Sequence, residues 1–289
     1  MFDYLIETEN TSDMPESYLR ENGIDYTYLP YRIDDHLYTR ENELSSEEFY
    51  RQMRSGRMPI TSQVNPEEAK KFFLEKKKIC KNILHLSLSS GISGTYNSAR
   101  LAAQEVMEED PSVNIIVIDT LCASMGVGLV IDKAVKMRKQ GLSMEENAAR
   151  IREMIPHCVH AFTVDDLNHL YRGGRVSRTA ALIGTVAGIK PILNVNDEGK
   201  LIPVTKVRGR KKALLKLVDY MEEHIGPYRT SEDTFFISHG DCLEDAEFVR
   251  DEITKRFGMK ACMINVLSAT IAAHAGPGTV ALFFMGDNR

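Results

Sequence analysis

The chain has 289 residues, 43% apolar and 27% charged, with 36 basic and 41 acidic side chains and a net charge of −5. That composition excludes a disordered chain, a collagen-like repeat and a small disulfide scaffold. Mild acidity also argues against a nucleic-acid binder, which needs basic surface to displace counterions.

In chain order, FDYLIE (2–7) reads as a short strand and DYTYLPYRI (25–33) as an extended segment, with Pro30 favouring a sheet edge. Ser45 followed by Glu48 is a capping-box pattern that opens a helix over 46–54. After a turn-rich stretch, Pro66 with Glu67 and Glu68 starts another helix. NILHLSLS (82–89) is an apolar strand, followed by a helix over 93–107. NIIVID (114–119) lacks polar alternation until its end, as expected of a strand buried on both faces of a parallel sheet. Helices are predicted at 125–139 and 144–155.

The second half begins with a strand near 157–166, a short helix at 166–171 and the loop RGGRVSR. Strands at 188–195 and 201–207 flank a turn and read as a hairpin. A helix at 209–223, a strand at 234–238, a helix at 243–256 and strands at 260–266 and 279–285 complete the pattern. From Ala261 to Gly286 there is no Asp, Glu, Lys or Arg, which is long enough for a membrane span. The Gly276-Pro277-Gly278 breaker within it points instead to two buried strands flanking a loop.

Strand–helix alternation predicts an α/β fold. At ~150 residues per domain, the length fits two α/β domains. The expected division is 1–157, with a parallel sheet, and 158–289, with a mixed sheet.

The five cysteines form no C-x-x-C pair, and the histidines show no H-E-x-x-H spacing, so no metal site is predicted. Scattered cysteines suit a reducing compartment, and the acidic N-terminal stretch shows no signal-peptide pattern.

The main local signal is Ser89-Ser90-Gly91-Ile92-Ser93-Gly94-Thr95, between a buried strand and a helix. Backbone N–H groups at such a start, with hydroxyls beside them, favour an anion. The plainer reading is a capped helix with ordinary turn glycines. The loop lacks the lysine of a nucleotide-binding P-loop, and Thr95 stands where G-x-S-x-G needs its second glycine. A singly charged carboxylate therefore suits it best.

Thr61-Ser62-Gln63 precedes a helix, either as its cap or as a source of further hydroxyls for that anion. Asp119-Thr120 leads to Ser124, Gly126 and Gly128, where capping and close packing are the plainer roles. Arg172 and Arg175 bracket two glycines and can clamp a carboxylate or phosphate, or pair with Asp165 and Asp166 at the surface. His274 is a hydrogen-bonded structural residue or a site residue.

Taken together, the segments TSQVNP (61–66), SSGISGTYNSA (89–99), IDTLCASMGVG (118–128), VDDLNHLYRGGRVS (164–177), SHGDC (238–242) and AHAGPGTVALFF (273–284) resemble the bacterial DegV family of fatty-acid-binding proteins. The resemblance implies two α/β domains with a fatty acid in a tunnel between them. It places Thr61 and Ser93 on the carboxylate, among Ser62, Gly94, Thr95, Ser124 and His274. Arg172 and Arg175 are then expected to contact a partner or phosphate. The partners it implies are a long-chain fatty acid and a separate ATP-dependent fatty acid kinase, whose acyl phosphate feeds phospholipid synthesis. A cytoplasmic carrier with no catalytic centre, no cofactor, no metal, no nucleic acid and no stable membrane insertion is the expectation. An enzyme acting on a small phosphorylated or carboxylated metabolite through Ser93 or His274 is the alternative. Glu9 and Asn10 stand where the family carries Asp-Ser, and these longer residues are expected to reshape the floor under the anion site.

Overall fold

A computed structural model describes residues 3–177, 188–229, 234–287 and 289. Position 2 of the first predicted strand and position 178 of the arginine loop lie outside them. The first half builds a four-stranded, all-parallel sheet in the order β2-β1-β6-β7 from β1 (Leu5–Glu9), β2 (Tyr26–Thr27), β6 (Asn82–Ser87) and β7 (Asn114–Asp119). A small antiparallel sheet, in the order β4-β3-β5, joins β3 (Tyr31–Ile33), β4 (His36–Tyr38) and β5 (Ile60–Thr61). The second half forms a mixed sheet in the order β10-β9-β8-β13-β11-β12. Its strands are β8 (Cys158–Thr163), β9 (Ile189–Val195), β10 (Leu201–Arg208), β11 (Thr234–His239), β12 (Ala261–Val266) and β13 (Val280–Met285). Among the described residues, only β11 and β12 pair in parallel within it.

Helix starts follow local chemistry. Ser45 caps α2 (Ser46–Arg54) by accepting from Glu48 N, and Asn65 caps α3 (Pro66–Lys76) with proline in the first turn. Ser143 and Glu146 complete a reciprocal capping box at α6 (Met144–Met154). The helix that unites the fold is α5 (Met125–Lys139), which packs on β1 and β6 of one sheet and on β8, β11 and β13 of the other. Its glycines permit close approach. A Cβ at Gly128 would meet Met14 Sδ at 2.5 Å, and one at Gly126 would overlap the His160 ring. One apolar core accordingly runs from Tyr4 and Ile6 through Val127 and Leu129 to Phe236 and Phe283.

Three expectations need correction. The extended segment at 25–33 is two short strands in different sheets, because Tyr28 to Pro30 carry the chain from β2 to β3. Strands β4 and β5 have no counterpart in the predicted pattern. The uncharged stretch after β12 is not a loop between strands, since it contains the seven-residue helix α10 (Ala269–Ala275). Among the described residues, no helix is long and apolar enough to cross a membrane.

Candidate carboxylate and acyl-chain site

Three segments distant in sequence meet at the site. The first is the segment after β5. Thr61 pairs with Tyr31 in the small sheet, and its Oγ1 lies 2.7 Å from His274 Nε2 at the last turn of α10. Gly173 packs on the other side of that imidazole, where a Cβ would overlap Nδ1. Burial pushes His274 down to about 4, and Arg175 adds to the shift, so the ring is neutral at pH 7.

The second connection, the serine-rich loop, leads into α4 (Thr95–Glu109). Ser93 Oγ lies 2.9 Å from Thr95 Oγ1 and accepts from Thr95 N at 3.2 Å. Thr95 Oγ1 in turn accepts from Val64 N at 3.3 Å, and the Gln63 amide fills the space beside Gly94. The Thr61-Ser62-Gln63 and Ser93-Gly94-Thr95 segments are thus in direct contact. Ser62 itself faces solvent, its N–H donating to Pro30 O. The loop is anchored from beneath, because Ser89 Oγ donates to Gly199 O in the β9–β10 turn at 2.8 Å.

The third connection carries the arginines. Arg175 Nε donates to Ile92 O at 3.2 Å, and Nη1 donates to Gly173 O. Its half-buried guanidinium has no carboxylate partner among the described residues. Arg172 is exposed and turns toward Met58 Sδ at 3.2 Å. Asp165 pairs with Lys190 and Arg210, leaving both loop arginines unclaimed by it.

Behind these groups lies an apolar cavity of about 80 Å³. Phe162, Leu201, Leu267, Ile271 and Phe283 form much of its wall, and Ser124, Arg175 and His274 border it. Ser124 is engaged elsewhere. Its hydroxyl donates to Asp13 Oδ2 at 2.5 Å and lies 2.6 Å from Ser238 Oγ. Its backbone is held at φ 54°, a costly angle for a residue with a Cβ. Asp13 Oδ1 accepts from Ser268 N at the start of α10, and burial raises this carboxyl to about 7 against its hydrogen bonds. The open cleft lined by Asp34, Asp35, Glu48, Arg51 and Arg57 is unlike this cavity, since charged side chains line it and both its arginines are paired with carboxylates.

The floor residues have defined places. Glu9 is fully buried and accepts from Ser87 Oγ at 2.7 Å, Leu88 N at 2.9 Å and His85 Nε2 at 2.9 Å. Asn10 accepts from Leu29 N and donates to Thr270 Oγ1 of α10.

The family profile described as "Uncharacterised protein, DegV family" matches residues 4–287. The chain belongs to the DegV family. This DegV chain is 40% identical to a DegV domain-containing protein of Clostridium perfringens over 288 residues, covering 99% of this chain and 98% of the relative. Its fold matches a Thermus thermophilus DegV family protein described by its fatty acid binding, at 27% identity and a TM-score of 0.87, covering 99% and 100% of the two chains. A fatty acid binding DegV family protein of Streptococcus agalactiae matches at 28% identity and a TM-score of 0.85, covering both chains fully.

Two features of this candidate site escaped the sequence. Gly173 is the seat of His274, and the Asp13–Ser124–Ser238 chain fixes the cavity wall. Neither has a local signature, because each is a contact between distant segments.

Proposed function

We propose that this chain binds a long-chain fatty acid, with the carboxylate among Thr61, Ser93, His274 and Arg175 and the acyl chain in the cavity behind them. The observation that carries the reading is a half-buried guanidinium, without a carboxylate partner among the described residues, that borders an apolar cavity together with His274, itself bonded to the Thr61 hydroxyl, and Ile92, the neighbour of Ser93. A carboxylate costs much to bury unless its oxygens are hydrogen-bonded, and this rim supplies such donors. The relatives described as fatty acid binding support it.

An apolar cavity of about 150 Å³ takes up benzene, so a long chain needs more room than about 80 Å³. Half-buried Leu201 and Ile271 are the side chains that swing aside in this reading. Each buried CH₂ contributes about 0.8 kcal/mol toward that rearrangement.

The chain then acts as a carrier. It presents the carboxylate to a separate ATP-dependent fatty acid kinase in the cytoplasm, and the acyl phosphate enters phospholipid synthesis. Exposed Arg172 is placed to meet that partner, and the ligand lies between units spanning 1–157 and 158–289. Native mass spectrometry, followed by analysis of the organic extract, tests the reading. A stoichiometric fatty acid is expected. An empty protein that also fails to take up added fatty acids, or one that turns over a metabolite unaided, overturns it.

A further inference from the structure

Cys122, Cys158 and His160 come from two segments far apart in sequence, yet their ligand atoms all lie within 4.8 Å of one another. All three are buried, and both thiols are reduced. Three ligands around one ion, with metal–sulfur bonds of ~2.3 Å, stand ~3.8 Å apart, so small side-chain shifts close the gap. None of the three belongs to the proposed carboxylate rim, although the His160 ring also lines the apolar cavity.

The histidine is already oriented as a ligand. His160 Nδ1 lies 3.2 Å from Cys158 O, and a carbonyl can only accept, so Nδ1 carries the proton. The lone pair is then on Nε2, where Ala123 N donates at 3.2 Å and gives way to an ion. A backbone carbonyl on the far nitrogen is the usual support of a metal-bound imidazole.

We propose that Cys122, Cys158 and His160 form a binding site for a thiophilic d¹⁰ cation, with Cu⁺ the expected occupant. Two thiolates and an imidazole suit Cu⁺ and Zn²⁺ alike. Charge separates them. Arg289 Nη2 donates to Cys122 Sγ at 3.3 Å and brings one positive charge into the cluster. A monovalent ion balances the two thiolates and the guanidinium, whereas a divalent ion leaves a buried positive charge uncompensated. Binding releases the two thiol protons to solvent, and no redox step is involved.

The test is anaerobic Cu⁺ titration against a chromophoric chelator under reductant, using the full chain with Cys80, Cys242 and Cys262 changed to Ser. One equivalent of Cu⁺ should be retained, with two sulfurs and one nitrogen at the metal by X-ray absorption. Cys122→Ser and Cys158→Ser on that background should each lower affinity about a hundredfold or more, and His160→Gln should remove the nitrogen signal. Circular dichroism and thermal melting confirm that each variant is folded. Retention no better than in the Cys122→Ser/Cys158→Ser double variant overturns the site, as does an unchanged metal spectrum in His160→Gln. A parallel Zn²⁺ titration that saturates at one equivalent while Cu⁺ is not held overturns the monovalent assignment.

Discussion

Thr61 Oγ1 and His274 Nε2 are hydrogen-bonded at 2.7 Å across 213 positions of sequence. His274 borders the cavity, and the bond ties it to Thr61 in the small sheet. Thr61→Val keeps the shape and removes the hydroxyl. Hydrogen bonds to charged groups are worth about 1.5–3 kcal/mol, so affinity for a fatty acid should fall by roughly tenfold to a hundredfold. Displacement of a fluorescent fatty acid measures this, and an unchanged affinity removes Thr61 from the carboxylate site.

Gly173 supports the same imidazole from behind. Gly173→Ala places a methyl group on His274 Nδ1. The ring must move away, which breaks its bond to Thr61. Binding should weaken about as much as in Thr61→Val, and the double variant should be little worse than either single one. Additive losses would show that the two act separately.

Arg175 gives a prediction of opposite signs. Its half-buried charge is met by the carbonyls of Ile92 and Gly173 and by no carboxylate among the described residues. Arg175→Met should raise the stability of the empty protein by about 0.5–2 kcal/mol while weakening fatty acid binding. Urea unfolding and ligand titration on one preparation read both effects. A variant that is less stable and binds normally would assign Arg175 to the scaffold.

His274 also predicts a pH effect. An unfolded histidine titrates near 6.5, whereas the buried ring is pushed down to about 4. Between these values the unfolded chain takes up a proton that the folded chain refuses. The stability tied to His274 is therefore full above about 6.5 and is lost as pH falls toward 4. Asp13, raised to about 7, and Glu7, raised to about 8, act in the opposite direction over much of that range. The difference between the parent and His274→Gln isolates the histidine. The stability of the parent relative to the variant should fall as pH drops from about 6.5 toward 4, and a flat difference would contradict the buried neutral ring.

Glu9 receives donors from His85, Ser87 and Leu88 in a fully buried place. Glu9→Ala strands all three, and each unsatisfied group costs about 1–3 kcal/mol. A loss of about 3 kcal/mol or more in urea denaturation is expected. A loss under about 1 kcal/mol would mean that water replaces the carboxylate.

Legibility in the sequence followed the range of the interactions. β6 was readable because both faces are buried, and α2 because Ser45 and Glu48 declare its start. β7 was readable as an apolar run, but it is an edge strand with only Ile115 and Ile118 buried, not a strand buried on both faces. α10 was not. It has seven residues and no charged one, and Asp13 satisfies its first N–H from the other end of the chain. The Thr61 and Ser93 segments were visible as hydroxyl-rich turns before helices, but their contact through Gln63 and Val64 was not. Cys122 and Cys158 failed every spacing test because α5 and α6 lie between them. Glu9 and Asn10 were expected to alter the anion-site floor. Glu9 binds Leu88 between β6 and the serine-rich loop, and Asn10 ties Leu29 to Thr270.

The bonds from Asn10 and Asp13 to Thr270, Asn265 and Ser268 join segments made at opposite ends of translation. Thr61 must likewise await His274. A chain still being made can assemble the parallel sheet early, but the wall of the cavity stays unfinished until the segment 265–274 has emerged. On the proposed function, a copy without that segment lacks His274 and cannot hold a fatty acid.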